Sequence, residues 1–192
     1  MSNQLIRISL DLETMSLEDN AAIIQIGACT LDQSRKFLMT IDPRNSEKYG
    51  HVDTGTMAWW DQQDPEVRKR VFGGTTPLPE ALNEFISWIH HMNEPLENFR
   101  FYTKGGQDWV WLKNAWYKVF GSFPLHYRSP CDMRTLKDVR EFCEITGMPE
   151  FKPVQAHDAL LDAMAQADEI TWTLTKLAML RAGEDDGYPG DR

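Results

Sequence analysis

Alternating apolar and polar positions near the start of the chain predict three β-strands. Residues 5–12 alternate with period two, so the apolar side chains face one way and the polar ones, including Asp11, face the other. A second apolar run covers residues 22–31, and the sequence Asp-Gln-Ser-Arg separates it from a third at residues 37–41. Apolar runs of this length, bounded by turn-forming residues, are typical of strands joined by hairpin-like turns.

The rest of the chain predicts helices with two more strands between them. Residues 42–76 contain scattered Pro and Gly and predict an irregular segment with short helices at about 57–63 and 66–71. Beyond it the predicted order is helix 79–92, strand 99–103, helix 107–120, strand 129–134, helix 136–146 and helix 158–181. This order predicts an α/β fold, a mixed sheet flanked by helices, in a single domain over residues 1–182. The acidic tail, residues 183–192, contains Gly and Pro and is predicted to be disordered.

Composition and charge narrow the class of protein. The 192 residues are 42% hydrophobic and 26% charged, as in ordinary globular domains, and no apolar run approaches the roughly 18 residues that span a bilayer. The N-terminus lacks a basic region leading into an apolar stretch, which argues against a signal peptide. Cys29, Cys131 and Cys143 are scattered and odd in number, so we expect reduced thiols and a cytoplasmic protein. The net charge of −9 argues against a generic nucleic-acid coat, but not against an enzyme whose acids hold cations.

Two carboxylates end the first predicted strand. Asp11 and Glu13 are two residues apart, so period two places both on the same face. Neighbouring carboxylates repel each other unless a cation or hydrogen-bond donors lie between them, and oxygen ligands suit Mg²⁺ or Mn²⁺. A solvated strand end explains an isolated Asp-x-Glu pair equally well, so the pair needs support from elsewhere in the chain.

Three more polar residues lie where predicted helices begin. Asp108 follows two glycines at the start of a helix, a position that favours an acid through the helix dipole alone. His157 and Asp162 flank the start of the last helix, and Ala163 beside them would let that helix approach the sheet. Taken singly, Asp108 is explained as a helix-end acid and His157 as a surface histidine.

The order of these residues resembles a known enzyme superfamily. Asp11-Leu-Glu-Thr14, then Asp108, then His157-x-x-x-x-Asp162-Ala163 is similar to the DEDDh branch of the ribonuclease H-like 3′→5′ exonucleases. Small phage and bacterial proteins labelled exonuclease VIII-like or exoribonuclease-like are more similar still. Their openings resemble Leu10-Asp-Leu-Glu-Thr14 and Ile23-Ile-Gln-Ile-Gly27, and their middles resemble Thr56-Met-Ala-Trp-Trp60. One departure is Gln107, which stands where the superfamily usually has an aromatic residue directly before the aspartate.

The resemblance implies a ribonuclease H-like fold and a two-metal mechanism. Two Mg²⁺ or Mn²⁺ ions would be held by four carboxylates, those of Asp11, Glu13, Asp108 and Asp162. One ion would lower the pKa of a water whose proton His157 takes as general base, and the other would stabilise the leaving 3′-oxygen. The catalytic residues expected are therefore His157 and Glu13. The residues expected to bind substrate are Thr14, Met15, Trp60 and Lys104.

The expected substrate is a single-stranded nucleic acid or a 3′ overhang, with a nucleoside 5′-monophosphate as product and no membrane partner. The choice between DNA and RNA stays open, because no residue decides recognition of the 2′-hydroxyl. Whether the protein forms a homodimer also stays open. Two other functions also fit the sequence. One is a catalytically idle nucleic-acid or protein-binding module on the same fold, and the other is a metal-dependent phosphatase or nucleotide hydrolase.

Overall fold

The computed structural model describes residues 5–183, and its described part contains one mixed β-sheet. The strands are β1 Ile6–Thr14, β2 Ile23–Thr30, β3 Lys36–Thr40, β4 Phe99–Thr103 and β5 Pro130–Asp132. Their order across the sheet is β3-β2-β1-β4-β5. The first three strands are antiparallel neighbours, whereas β4 pairs with β1 in parallel and β5 with β4 in parallel. All five predicted strands therefore form, and β1 lies at the centre of the sheet.

Helices cover both faces of this sheet. They are α1 Pro43–Ser46, α2 Thr54–Trp60, α3 Pro65–Phe72, α4 Leu78–His90, α5 Gln107–Phe120, α6 Met133–Phe142 and α7 Ala159–Ala182. The apolar face of β1 packs against α4 and α5, where Leu10, Phe85 and Leu112 share the main core. The opposite face, which carries Asp11, receives α7, and there Cys29 packs against Ala163. The predicted α/β layering is confirmed.

Several helix boundaries differ from the prediction because capping residues decide them. The segment 42–76 contains the short helix α1, which begins after the capping side chain of Asp42, and α2 begins at Thr54 because Asp53 caps it. The helix predicted at 136–146 begins earlier, after the cap Asp132, and ends at Phe142. Glu144, two residues later, has a left-handed φ of 55° that a helix cannot continue through.

Within residues 5–183, no helix is both long enough and apolar enough to cross a membrane. Residues 184–192 of the predicted disordered tail lie outside the described residues, and Gly183 ends α7 with a left-handed φ of 72°. That residues 1–182 form a single domain stays a prediction.

Candidate active site

The centre of the sheet presents two acids to helix α7. Asp11 pairs with Gly27 across the β1–β2 ladder, and Glu13 pairs with Gln25. The pairing is regular from Ile8 to Glu13, so side chains two residues apart in this stretch of β1 point to the same face. Asp11 and Glu13 therefore lie on one face, as period two predicted.

A close approach between α7 and β2 brings a third acid to this face. A Cβ atom on Gly27 would lie 2.0 Å from the backbone carbon of Ala159, so only glycine fits at this contact. Gln25 holds the same helix end, because its Oε1 accepts the Ala159 backbone N–H at 2.8 Å. Asp162 lies in the first turn of α7, and one carboxylate oxygen from each of Asp11, Glu13 and Asp162 lies within 4.8 Å of the others.

Asp108 approaches the same strand from α5. Its Oδ1 accepts the backbone N–H of Leu12 at 3.1 Å, and its side chain is buried. The structure thus places Asp108 against β1 at Leu12, the residue between the two strand acids, although it is not one of the three carboxylates within 4.8 Å of one another among residues 5–183. Burial raises the pKa of Asp108 to about 6.

Burial and mutual repulsion make the carboxylate cluster resist ionisation. Burial, together with the charges of Asp162 and Asp108, raises the pKa of Glu13 to about 8. Burial and then the charges of Asp108, Glu13 and Asp162 raise the pKa of Asp11 well above its usual range, and burial also raises the pKa of Asp162. Two unit charges at 4.8 Å repel each other by about 3 kcal/mol at an effective dielectric constant of about 20. A cation bound among the oxygens would remove this repulsion, and an all-oxygen donor set fits Mg²⁺ or Mn²⁺.

Gln166 is a site residue that sequence reasoning missed. It lies four residues after Asp162 on α7, and its Nε2 donates to Asp11 Oδ1 at 2.7 Å. Its Oε1 is buried and has no hydrogen-bond partner in the described part of the chain. The spacing of four residues could have identified it, because residues at i and i+4 share a helix face.

His157 lies just before α7 in the left-handed backbone region, with a φ of 59°. Its half-buried imidazole packs perpendicular to the ring of Trp59, with ring centroids 4.9 Å apart. Trp59 itself is 41% exposed. The structure therefore places an accessible aromatic ring beside the histidine.

Two of the residues expected to bind substrate lie in the core instead. Trp60 is only 1% exposed, and its indole Nε1 donates to the Thr14 carbonyl oxygen at 2.9 Å. Met15 is 3% exposed and packs in the same apolar cluster. The predicted stacking of Trp60 on a base is therefore wrong, because its ring does not reach the surface. The predicted substrate contact of Met15 stays a prediction, since its buried side chain does not test a contact through the backbone. Thr14 is buried with its hydroxyl donating to the Ser16 carbonyl, whereas Lys104 is exposed.

Comparisons with known proteins identify the family and the fold. Residues 6–173 match the family of the 3′-5′ exoribonuclease Rv2179c-like domain, and no curated protein matches the sequence. Cell-death related nuclease 4 (CRN-4) is similar in fold, with a TM-score of 0.62 and 15% identity over 94% of this chain. The chain spans 65% of the length of that protein.

A second solved structure is the nuclease domain of 3′hExo, described as a DEDDh family member bound to rAMP. It has a TM-score of 0.57 and 13% identity, and the comparison covers 100% of this chain and 99% of the other. At these identities the two likenesses show the fold, which is ribonuclease H-like. The chain belongs to the Rv2179c-like 3′-5′ exoribonuclease domain family and carries the fold of the DEDDh nucleases that its motifs resemble.

Proposed function

We propose that this protein is a metal-dependent 3′→5′ exonuclease that hydrolyses single-stranded nucleic acid or 3′ overhangs and releases 5′-mononucleotides. The observation that carries the proposal is the cluster of oxygens from Asp11, Glu13 and Asp162 within 4.8 Å of one another. A site of this kind is unfavourable in the apo protein and becomes favourable when divalent cations bind.

Asp11, Glu13 and Asp162 would hold the cations, and Asp108 is the proposed fourth ligand. Asp108 lies near enough that its charge raises the pKa of both strand acids. Two bound Mg²⁺ or Mn²⁺ ions would neutralise the carboxylates, make the attacking water more acidic and offset negative charge on the phosphate. Gln166 orients Asp11 through its amide donor, and Glu13 also helps to hold the terminal nucleotide.

His157 is the proposed general base. A neutral imidazole accepts a proton from the attacking water, whose oxygen then bonds to phosphorus while the bond to the 3′-oxygen breaks. The histidine lies before Asp162, so the base and a proposed ligand belong to the same helix start. Its packing against Trp59 restricts the directions that the imidazole can take.

The substrate end would lie between the acids and the exposed ring of Trp59. Trp59 takes the stacking role expected of Trp60, because bases stack on accessible aromatic rings. Lys104 is the proposed phosphate contact, and the Thr14 backbone is the proposed contact to the terminal ribose. The family's description as exoribonuclease, and the rAMP bound to 3′hExo, favour RNA as the substrate. Three free cysteines favour a reducing compartment such as the cytoplasm.

The direct test uses single-stranded RNA and DNA labelled at the 5′ end, incubated with the protein and Mg²⁺ or Mn²⁺. We expect a ladder that shortens from the 3′ end, no cutting of a circular strand, and faster turnover of RNA. Asp162→Asn should abolish hydrolysis, whereas Asp168→Asn, an exposed acid on the same helix, should not. His157→Ala should slow hydrolysis by about 10²–10⁴-fold while the melting temperature still rises with Mn²⁺.

Three results would contradict the proposal in different ways. Cutting of the circular strand would contradict end dependence. A melting temperature that rises with Mn²⁺, without hydrolysis of any oligonucleotide, would identify a binding module. Turnover of mononucleotides but not of oligonucleotides would identify a phosphatase or nucleotide hydrolase.

A further inference from the structure

The loop that carries His157 is held in a conformation that its own sequence does not favour. A left-handed φ at a residue other than glycine costs about 1–3 kcal/mol and persists only where surrounding contacts impose it. His157 has this conformation, with a φ of 59°, and it lies between Gln155 and Asp158. Both of these residues contact one arginine.

Arg70 of helix α3 bridges the two sides of the histidine. Its Nη1 donates to Gln155 Oε1 at 2.9 Å. Its Nε lies 2.9 Å from Asp158 Oδ2, a close ion pair whose N–H is not aligned as a hydrogen bond. The Asp158 side chain is only 7% exposed, so solvent screens this pair less than it would a surface pair.

Asp158 transmits the contact into α7. Its Oδ1 accepts the Leu161 backbone N–H at 3.1 Å and caps the helix, and its own backbone N–H donates to Asp162 Oδ2 at 3.2 Å. Arg70 therefore holds a residue that both adjoins His157 and contacts a proposed metal ligand. The arginine is itself anchored, because Val67 and Val71 of α3 are buried.

Helix α2 holds the imidazole from another side. The rings of Trp59 and Trp60 approach it nearly perpendicularly, at centroid distances of 4.9 and 6.0 Å. Trp60 is tied to β1 by its hydrogen bond to the Thr14 carbonyl, next to Glu13. Helices α2 and α3 thus connect the position of the histidine to the strand that carries the acids.

We propose that Arg70 is a positioning residue for His157, an inference that rests on the function proposed above. By bridging Gln155 and Asp158 it imposes the left-handed turn, and that turn keeps the imidazole against the two tryptophans and directed at the attacking water. The competing role is direct: Arg70 Nη2 is buried without a hydrogen-bond partner among residues 5–183, and could donate to a substrate phosphate instead. The two roles make opposite predictions.

The kinetic test is a double-mutant cycle between Arg70→Gln and His157→Ala. A misplaced base costs up to about 10²-fold in rate, so Arg70→Gln should lower kcat by about 10–100-fold with KM within about twofold. Adding Arg70→Gln to His157→Ala should cost less than about threefold more, because the base that it positions is already absent. A direct phosphate contact would instead raise KM, and the two losses would multiply, which would overturn the proposal.

Arg68→Gln is the matched control. Arg68 lies on the same helix and pairs with Asp61 near the surface, where the two side chains are 40% and 64% exposed, so we expect wild-type kinetics. Arg70→Lys keeps the charge but lacks the planar group that spans both partners, so it should behave like Arg70→Gln. Where an Arg70 variant melts cooperatively at the wild-type temperature, its kinetics report on the position of His157 rather than on a loss of folding.

A second readout does not depend on turnover. The rings of Trp59 and Trp60 should shift the imidazole proton resonances of His157, which are identified by their loss in His157→Ala. Arg70→Gln should move these resonances toward free-histidine values, and Arg68→Gln should leave them in place. Unchanged resonances in Arg70→Gln would overturn the inference whether or not the protein is a nuclease. Shifted resonances in a protein without hydrolysis would overturn the proposed function, and the catalytic part of this inference with it.

Discussion

Glu13→Gln tests the electrostatic cause of metal dependence. Glu13 is 9% exposed, and burial among other acids raises its pKa from 4.5 to about 8. At about 1.36 kcal/mol per pKa unit this corresponds to about 5 kcal/mol, as an upper bound because the cluster shares its repulsion. The folded apo protein binds more protons than the unfolded chain between these two values, so its stability falls as pH rises through this window.

The substitution should remove this loss of stability. Without divalent cations, the stability of Glu13→Gln relative to the wild type should increase by at least about 2 kcal/mol as the pH rises from 5 to 9. Part of that gain comes from relieved repulsion on Asp11 and Asp162. With Mn²⁺ present the order should reverse, because the wild type gains a bound cation and the variant loses a ligand.

The assay is urea unfolding at several pH values in EDTA, repeated in Mn²⁺. Glu18→Gln serves as the control, since Glu18 is an exposed acid in the turn after β1 and should leave the pH profile unchanged. Parallel stability curves for the wild type and Glu13→Gln from pH 5 to pH 9 would refute the reasoning. They would mean that Glu13 is ionised in the apo protein without cost.

Four further substitutions test contacts around the site. Gly27→Ala should destabilise the protein by about 1–3 kcal/mol or more and reduce hydrolysis, because the added Cβ forces α7 from the sheet; a wild-type melting temperature would contradict this close approach. Gln166→Leu should weaken Mg²⁺ binding by about 10–100-fold, measured by calorimetry, since Asp11 loses its amide donor; unchanged affinity would remove Gln166 from the site. Trp60→Phe should lower the free energy of unfolding by about 1–3 kcal/mol, because it leaves a buried carbonyl without a donor. Trp59→Phe should stay within about 0.5 kcal/mol of the wild type. Equal losses of stability for the two variants in urea unfolding would contradict their different burial.

Local patterns in the sequence were sufficient for much of the fold. Helix α5 spans Gln107–Phe120 as predicted, because Gly106 and Gly121 on either side take left-handed conformations that end a helix. The shared face of Asp11 and Glu13 followed from period two alone, since successive strand side chains alternate between faces. The conformation of each of these segments depends on neighbours in sequence.

The tertiary structure decided which residues occupy the two sides of the site. Trp59 and Trp60 are adjacent and chemically identical, and only the packing of α2 against β1 buries one and exposes the other. Gln25, Arg70 and Gln166 acquire their roles from partners that are distant in the sequence. The partner lies 85 residues away for Arg70, 134 for Gln25 and 155 for Gln166. Periodicity predicts the face on which a side chain lies, but a partner at that distance is set by how helices and strands pack, which local pattern does not encode.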